Sequence, residues 1–280
     1  MLFVFRIVTR NTYLCLMQKT YFFSDVHFGL QERHIEEAKT DLMLNLLDEV
    51  KREGKRLYMV GDILDYWMEY KHVVPKGHFR FFAALYDLVQ SGVEVHYLAG
   101  NHDFYLGKYF DEELGVKTHY GALLHEIDGK RFYIVHGDGL GKGDRGYKLF
   151  RALVRNDFNL MWYRWLHPDF GVGIMDYLSK FSRKHTYSPK DEGEAERLIV
   201  FANQELERQA FDYFVCGHRH IVKLHLLRNR KSYYVNCGTW IGGMPTYAVF
   251  DGTEMKLIKA KTREEYLSES QVMTALTESV

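Results

Sequence analysis

Cysteine is scarce in this chain of 280 residues: Cys15, Cys216 and Cys237 are the only three, and none forms a CxxC pair. An odd count without paired spacing argues against a disulfide framework and against a thiolate metal cage, and points to a reducing cytosol. Proline is scarcer relative to length, at 4 residues, and no low-complexity run occurs, so long disordered linkers are not expected. Net charge is absent altogether, since 37 Lys and Arg balance 37 Asp and Glu. That removes the whole-chain electrostatic footprint of a nucleic-acid binder. Long hydrophobic runs are lacking too. Residues 1–16 are apolar but carry Arg6 and Arg10, and are too short to span a bilayer, which takes about 20 apolar residues. No small-residue cleavage site follows them, so a signal peptide fits poorly. The reading adopted is that Met17 is the natural start and residues 1–16 an N-terminal extension.

What remains is an ordinary globular composition, 46% hydrophobic, enough for one large domain with an insertion. Strand-like and helix-like patterns alternate from residue 20. Strands are expected at 20–23, 56–60 and 93–99. Helices are expected at 36–55, with Leu42, Leu46, Leu47 and Val50 on one face, and at 79–90, with Phe82, Leu85, Tyr86 and Val89 on one face. Such alternation predicts an α/β sheet. A further strand is expected at 131–135, a helix at 194–208, a strand at 213–216, and short strands at 222–227, 233–236, 247–250 and 255–259. Residues 142–192 are helical in pattern, aromatic and basic, and read as an inserted cap. The catalytic domain is placed at 17–265, and its core is expected as two packed sheets flanked by helices.

Five strand ends carry chemistry: Ser24-Asp25-Val26-His27, Gly61-Asp62, Gly100-Asn101-His102-Asp103, His136-Gly137-Asp138 and Gly217-His218-Arg219-His220. Any one alone would more often be a cap or a core histidine. Five at the ends of five strands make a site, because open α/β sheets bind ligands at the carboxyl edges of their strands. The adjoining glycines are expected to let the backbone turn where a ligand projects. Asp25, His27, Asp62, Asn101, His136, His218 and His220 offer oxygen and imidazole without thiolate, a set suited to Mn²⁺, Fe or Zn²⁺. Seven ligands suit two divalent ions bridged by a carboxylate better than one. His34, His72, His78, His96, His119, His125, His167, His185 and His225 have no such context and are assigned no ligand role.

The order D-x-H, GD, GNHD, HGD, GHRH resembles the calcineurin-like metallophosphoesterase superfamily. That resemblance implies a two-sheet αββα sandwich and a dinuclear centre. Asp25, His27 and His220 would hold one ion, Asn101, His136 and His218 the other, and Asp62 would bridge. His102 would face the substrate phosphate as a catalytic residue, oriented by Asp103. Within the superfamily, Gly61–Trp67, Gly100–Lys108, His136–Leu140 and Gly143–Arg151 resemble the UDP-2,3-diacylglucosamine hydrolases of lipid A synthesis. The likeness runs from about residue 20 to 250 and is closest through residue 155. It implies hydrolysis at the α-phosphate by a metal-activated water, with Mn²⁺ as the first expectation, releasing UMP and 2,3-diacylglucosamine 1-phosphate. The basic, aromatic cap suits an anionic membrane surface or a diphosphate, so a cytoplasmic enzyme working peripherally on the inner membrane is expected, with substrate contacts from Asp144, Tyr147, Arg151, Trp162 and Trp165. The competing reading is a dinuclear phosphoesterase for another phosphodiester, nucleotide or phosphomonoester. One departure bears on the choice: many members of that family have arginine where this chain has His102. GHRH instead of the commoner GHTH changes no ligand. The apolar positions Leu149, Phe150, Leu153, Val154, Phe158, Met161, Trp162, Trp165, Ile174, Leu178 and Phe181 read either as a small helical subcore or as an acyl groove.

Overall fold

The computed structural model describes residues 19–141, 156–174 and 191–266. Eleven strands among these form two sheets. The first has the order β11-β10-β1-β2-β3-β4, comprising β1 (Lys19–Phe23), β2 (Gly54–Val60), β3 (Glu94–Leu98), β4 (Lys117–His119), β10 (Thr246–Phe250) and β11 (Met255–Lys259). The second has the order β5-β6-β7-β9-β8, comprising β5 (Leu123–Ile127), β6 (Lys130–Ile134), β7 (Tyr213–Cys216), β8 (Val222–Leu226) and β9 (Tyr233–Cys237). β1 to β4 run parallel, as do β6, β7 and β9, so their carboxyl ends gather at one edge of the molecule.

Side chains alternate across these strands, which is what builds the layers. In β1, Tyr21 and Phe23 join the cluster beneath α1 (Arg33–Glu53) and α2 (Phe79–Gln90), whereas Phe22 points between the sheets. Phe22, Tyr58, Val60, Leu98, Phe132, Ile134 and Val215 fill that inter-sheet core. Tyr133, Phe214 and Tyr234 face outward beneath α5 (Arg197–Leu206). The result is the helix-sheet-sheet-helix sandwich expected.

α1 starts three residues earlier than its apolar stripe suggested and ends at Glu53. Its buried face includes Lys39 beside Met43, Leu46, Leu47 and Val50. Two strands were not anticipated, β4 and β5. β4 has three residues, and β5 is an edge strand with mixed exposure, so neither carries a clean alternation. Between β3 and β4 lies the one-turn α3 (Tyr109–Glu112). In the cap, α4 (Asp157–Trp165) and helical residues 168–174 are described. Asp144, Tyr147, Arg151, Leu149, Phe150, Leu153, Val154, Leu178, Phe181 and the extension 1–16 lie outside the described residues. The described apolar positions do not make a subcore: Phe158, Met161, Trp162, Trp165 and Ile174 are exposed, and Leu160 is the buried one.

Candidate dinuclear metal site

Each expected ligand sits where its strand ends. Asp25 and His27 follow β1, Asp62 follows β2, Asn101 follows β3, His136 follows β6, and His218 and His220 follow β7. Asp25, His27, Asp62, His218 and His220 all have positive φ, between 49° and 64°. Non-glycine residues adopt that left-handed conformation at a cost, so the chain bends at the ligands themselves. The neighbouring glycines therefore serve partly for another reason than expected. A Cβ on Gly100 would lie 2.2 Å from Asp62 Oδ1, and one on Gly217 would lie 1.9 Å from Ser24 Oγ and 2.3 Å from Asp25 Oδ2. Close approach of backbone to carboxylate requires glycine there.

Two sets of ligand atoms result. Asp25, His27 and His220 converge with all three atoms within 4.8 Å of one another, and so do Asp62, His136 and His218. Asp62 Oδ2 lies 3.7 Å from His27 Nε2 and 3.3 Å from His136 Nε2, between the sets. Asn101 Oδ1 joins the second, 3.2 Å from His136 Nε2 and 3.0 Å from His218 Nδ1. All seven residues are thus brought together.

Their partners fix which atoms face inward. His136 Nδ1 donates to the Val60 carbonyl at 2.9 Å, leaving Nε2 toward Asp62. His27 Nδ1 lies 3.1 Å from Asp65 Oδ1, leaving Nε2 toward Asp25 and Asp62. Second hydrogen bonds of this kind select the tautomer of a metal-binding histidine. The electrostatics favour positive charge in the pocket. Burial alone would pull His136 down, yet Asp62, Asp25 and Asp138 outweigh it and push its pKa up to about 10. Burial would raise Asp62, but His136, His102 and His27 hold it well below the usual carboxylate range. His218, buried and next to His136, is pushed down to about 4 and so stays neutral. His27 Nε2 is buried without a hydrogen-bond partner, and Asp25 Oδ1, equally buried, has His220 Nε2 at 3.0 Å but no hydrogen bond of good geometry. Buried polar atoms almost always have well-aligned partners, so two imidazole nitrogens converging on a buried carboxylate oxygen in this way fit a cation between them.

His102 sits beside this centre, its ring edge-on to His27 at 4.6 Å, and its backbone N–H donates to Asp62 Oδ1 at 2.9 Å. The group orienting it is not the expected neighbour. His102 Nδ1 is 2.9 Å from the Asp65 carbonyl and 3.4 Å from Asp65 Oδ1. Asp103 is instead a fully buried brace. Its carboxylate accepts from the backbone of Asp62 (3.1 Å), Ile63 (2.7 Å) and Gly100 (2.7 Å) and from the Tyr97 hydroxyl. Successive side chains diverge at a strand end, so Asp103 cannot be read as the orienting group from adjacency alone.

Other supports were missed as well. Lys39, buried in α1, donates to the carbonyls of Val26 (2.9 Å) and His27 (3.0 Å) and pairs with Glu36 (2.8 Å). A lysine in the apolar stripe of a helix was the available signal. Thr239 Oγ1 donates to the Asp25 carbonyl at 3.1 Å, and Asn236 Nδ2 to the Gly217 carbonyl at 2.9 Å. Both belong to a sixth strand end, Asn236-Cys237-Gly238-Thr239, of the same glycine-bearing kind as four of the other five. Glu196, only 1% exposed, holds Arg219 in a bidentate pair at 2.7 and 3.2 Å, which ties the loop of His218 and His220 to α5. Beside the site, a groove of about 600 Å³ is lined by Asp65, Tyr66, Phe28, Arg33, His78 and Val172, among others.

The family model for the calcineurin-like phosphoesterase matches residues 18–222. The chain belongs to the calcineurin-like phosphoesterase family. This calcineurin-like phosphoesterase is 34% identical over 258 residues to UDP-2,3-diacylglucosamine hydrolase of Porphyromonas gingivalis, covering 86% of this chain and 97% of that one. It is 28% identical over 228 residues to UDP-2,3-diacylglucosamine hydrolase of Yersinia enterocolitica, covering 79% and 90%. Among solved structures, Yfce, a phosphoesterase from E. coli, matches with a TM-score of 0.47 at 14% identity, covering 89% of this chain and 97% of that one. Calcineurin-like phosphoesterases use divalent metals, and the two ligand sets around Asp62 suit them.

Proposed function

We propose that the protein hydrolyses UDP-2,3-diacylglucosamine at the α-phosphate, giving UMP and 2,3-diacylglucosamine 1-phosphate. The observation that carries this is the 34% identity to a UDP-2,3-diacylglucosamine hydrolase over 97% of that enzyme's length, in a chain whose five polar strand ends bring seven ligand-type residues to one centre. Two divalent ions, Mn²⁺ in the first instance, held by Asp25, His27 and His220 and by Asn101, His136 and His218 with Asp62 shared, would supply Lewis acidity, acidifying water and neutralising phosphoryl charge.

The chain's own groups do the rest. Asp65 holds His102 through Nδ1, and as an imidazolium the ring would donate from Nε2 to a phosphoryl oxygen as negative charge grows there. The departing group is itself a phosphate, whose anion is stable in water, so His102 serves charge stabilisation more than leaving-group protonation. Asp65 also orients His27, and one residue, through its carboxylate and its backbone carbonyl, thereby keeps a metal-site ring and a substrate-facing ring in register.

The acyl chains explain the cap. Trp162, Trp165 and Phe170 are 61%, 83% and 72% exposed on the described cap helices, whose Val172 lines the groove that opens at Asp65. Among the described residues no helix is long and apolar enough to cross a membrane. We assign the protein to the cytoplasmic face of the inner membrane, reached peripherally, because each buried acyl CH₂ is worth about 0.8 kcal/mol and holds the substrate in lipid. The test is release of UMP from UDP-2,3-diacylglucosamine, dependent on Mn²⁺. Equal turnover of diesters with and without acyl chains would replace this reading with a general phosphodiesterase.

A further inference from the structure

The described cap helices meet the core through a directed chain of hydroxyl groups. Tyr163 of α4 donates to the Gly171 carbonyl, which can only accept. Its single proton being used there, its oxygen accepts from Tyr66, 2.9 Å away. The order is therefore Tyr66 to Tyr163 to Gly171. No side chain fits at the end of it: a Cβ on Gly171 would stand 2.1 Å from the Tyr70 hydroxyl and 3.0 Å from that of Tyr163. Around the chain, buried Leu160 packs with Met68, Tyr70 and Phe104, and the Arg164 guanidinium lies 5.9 Å from the Tyr105 ring centroid.

These core partners come from two loops, 61–70 and 100–107. The two loops also carry the site. Tyr66 directly follows Asp65, whose carboxylate is 3.1 Å from His27 Nδ1 and whose carbonyl is 2.9 Å from His102 Nδ1. They are laced to each other by Trp67 Nε1 donating to the Leu106 carbonyl at 3.2 Å. The docking of the cap and the group that orients His102 thus fall on adjacent residues.

We propose that Tyr163 is a positioning residue, latching the cap helices through Tyr66 to the loop of Asp65, so that turnover of an acylated substrate depends on where the cap sits. This rests on the lipid-nucleotide reading for its substrate, though the latch itself does not. Tyr163→Phe leaves the Tyr66 proton and the Gly171 carbonyl without partners while keeping the ring. Gly171→Ala displaces the same contact from the other side.

The experiment compares both variants with the parent, as Mn²⁺-loaded full-length enzyme. UDP-2,3-diacylglucosamine is one substrate and bis(p-nitrophenyl) phosphate, which has no acyl chain to reach a cap, is the other. Amide hydrogen exchange is followed in segments 62–70 and 157–174. Expected is a fall of about tenfold in kcat/KM for the lipid nucleotide, the size of a lost buried hydrogen bond, with the small diester within twofold. Exchange should quicken in both segments. Equal losses on both substrates, no loss on either, or quickening confined to 157–174 would each overturn the latch. If the parent cleaves only the small diester, the substrate reading fails instead, and the exchange result alone decides whether Tyr163 couples cap to loop.

Discussion

Asp103→Ala separates a brace from a catalytic orienter, and the structure sets its size. The carboxylate is fully buried and takes three backbone N–H bonds at 3.1 Å or less, plus the Tyr97 hydroxyl. Removing it leaves these four close donors, and the longer Leu64 N–H contact at 3.4 Å, short of an acceptor in a site built for one. A buried donor left unsatisfied costs about 1–3 kcal/mol. Two effects favour the low end: water can enter the space left behind, and the carboxylate is already disfavoured there by burial and by Asp62, which raise its pKa. At about 1 kcal/mol per donor the loss is about 4 kcal/mol, a large share of the roughly 5–15 kcal/mol typical of a domain. For a chain of this size that lowers Tm by about 10 °C. Asp103→Asn keeps one acceptor oxygen and should lose about half as much. Urea and thermal unfolding, with and without Mn²⁺, give the numbers. A Tm within 2 °C of the parent, combined with a large fall in kcat, would refute the brace and restore Asp103 as the partner of His102.

Asp62→Ala should lose metal at both positions together, whereas Asn101→Ala should lose it mainly at one, as read by metal content after dialysis. Comparable activity of the Asp62 variant in Mn²⁺ would argue strongly against two ions sharing that carboxylate. Trp162→Ala with Trp165→Ala should raise KM for the diacylated substrate and leave a short soluble diphosphate unaffected, since both rings are exposed and far from the inter-sheet core. Burial, helped by His119, His125 and Lys117 against Glu94, pushes His96 down to about 4 from an ordinary value near 6.5. The unfolded chain then binds a proton that the folded one does not, so stability is complete above pH 6.5 and falls as pH drops toward 4. His96→Asn should flatten that slope by up to one proton. Superimposable unfolding-versus-pH curves would show that His96 titrates alike in both states.

The parts of the site legible in the sequence were those marked by chain order. A β-branched or aromatic run followed by a glycine and a ligand-type side chain announces a strand end, and parallel strands bring such ends to one edge. For this reason Asp25, His27, Asp62, Asn101, His136, His218 and His220 could be named together. What chain order does not carry is the direction of a side chain once the backbone turns left-handed, as it does at Asp62. Asp65 reaches His27 and His102 across 38 and 37 residues, while adjacent Asp103 turns into the core. The three histidines His96, His119 and His125 had no local pattern at all. They meet only because β3, β4 and β5 come together at one side of the sandwich: His96 Nδ1 is 2.9 Å from His119 Nε2, and the His96 and His125 rings are 5.4 Å apart. In the cap, helical periodicity named Phe158, Met161, Trp162 and Trp165, which are exposed, and passed over Leu160, which Met68, Tyr70 and Phe104 from distant loops cover.

The most direct test is hydrolysis of UDP-2,3-diacylglucosamine in ¹⁸O-water with Mn²⁺ present, with mass analysis of both products. Attack at the α-phosphate by a water held in the Asp62 centre predicts one ¹⁸O in UMP and none in 2,3-diacylglucosamine 1-phosphate. Label in the lipid phosphate, or no UMP at all while simple diesters are cleaved, would contradict it.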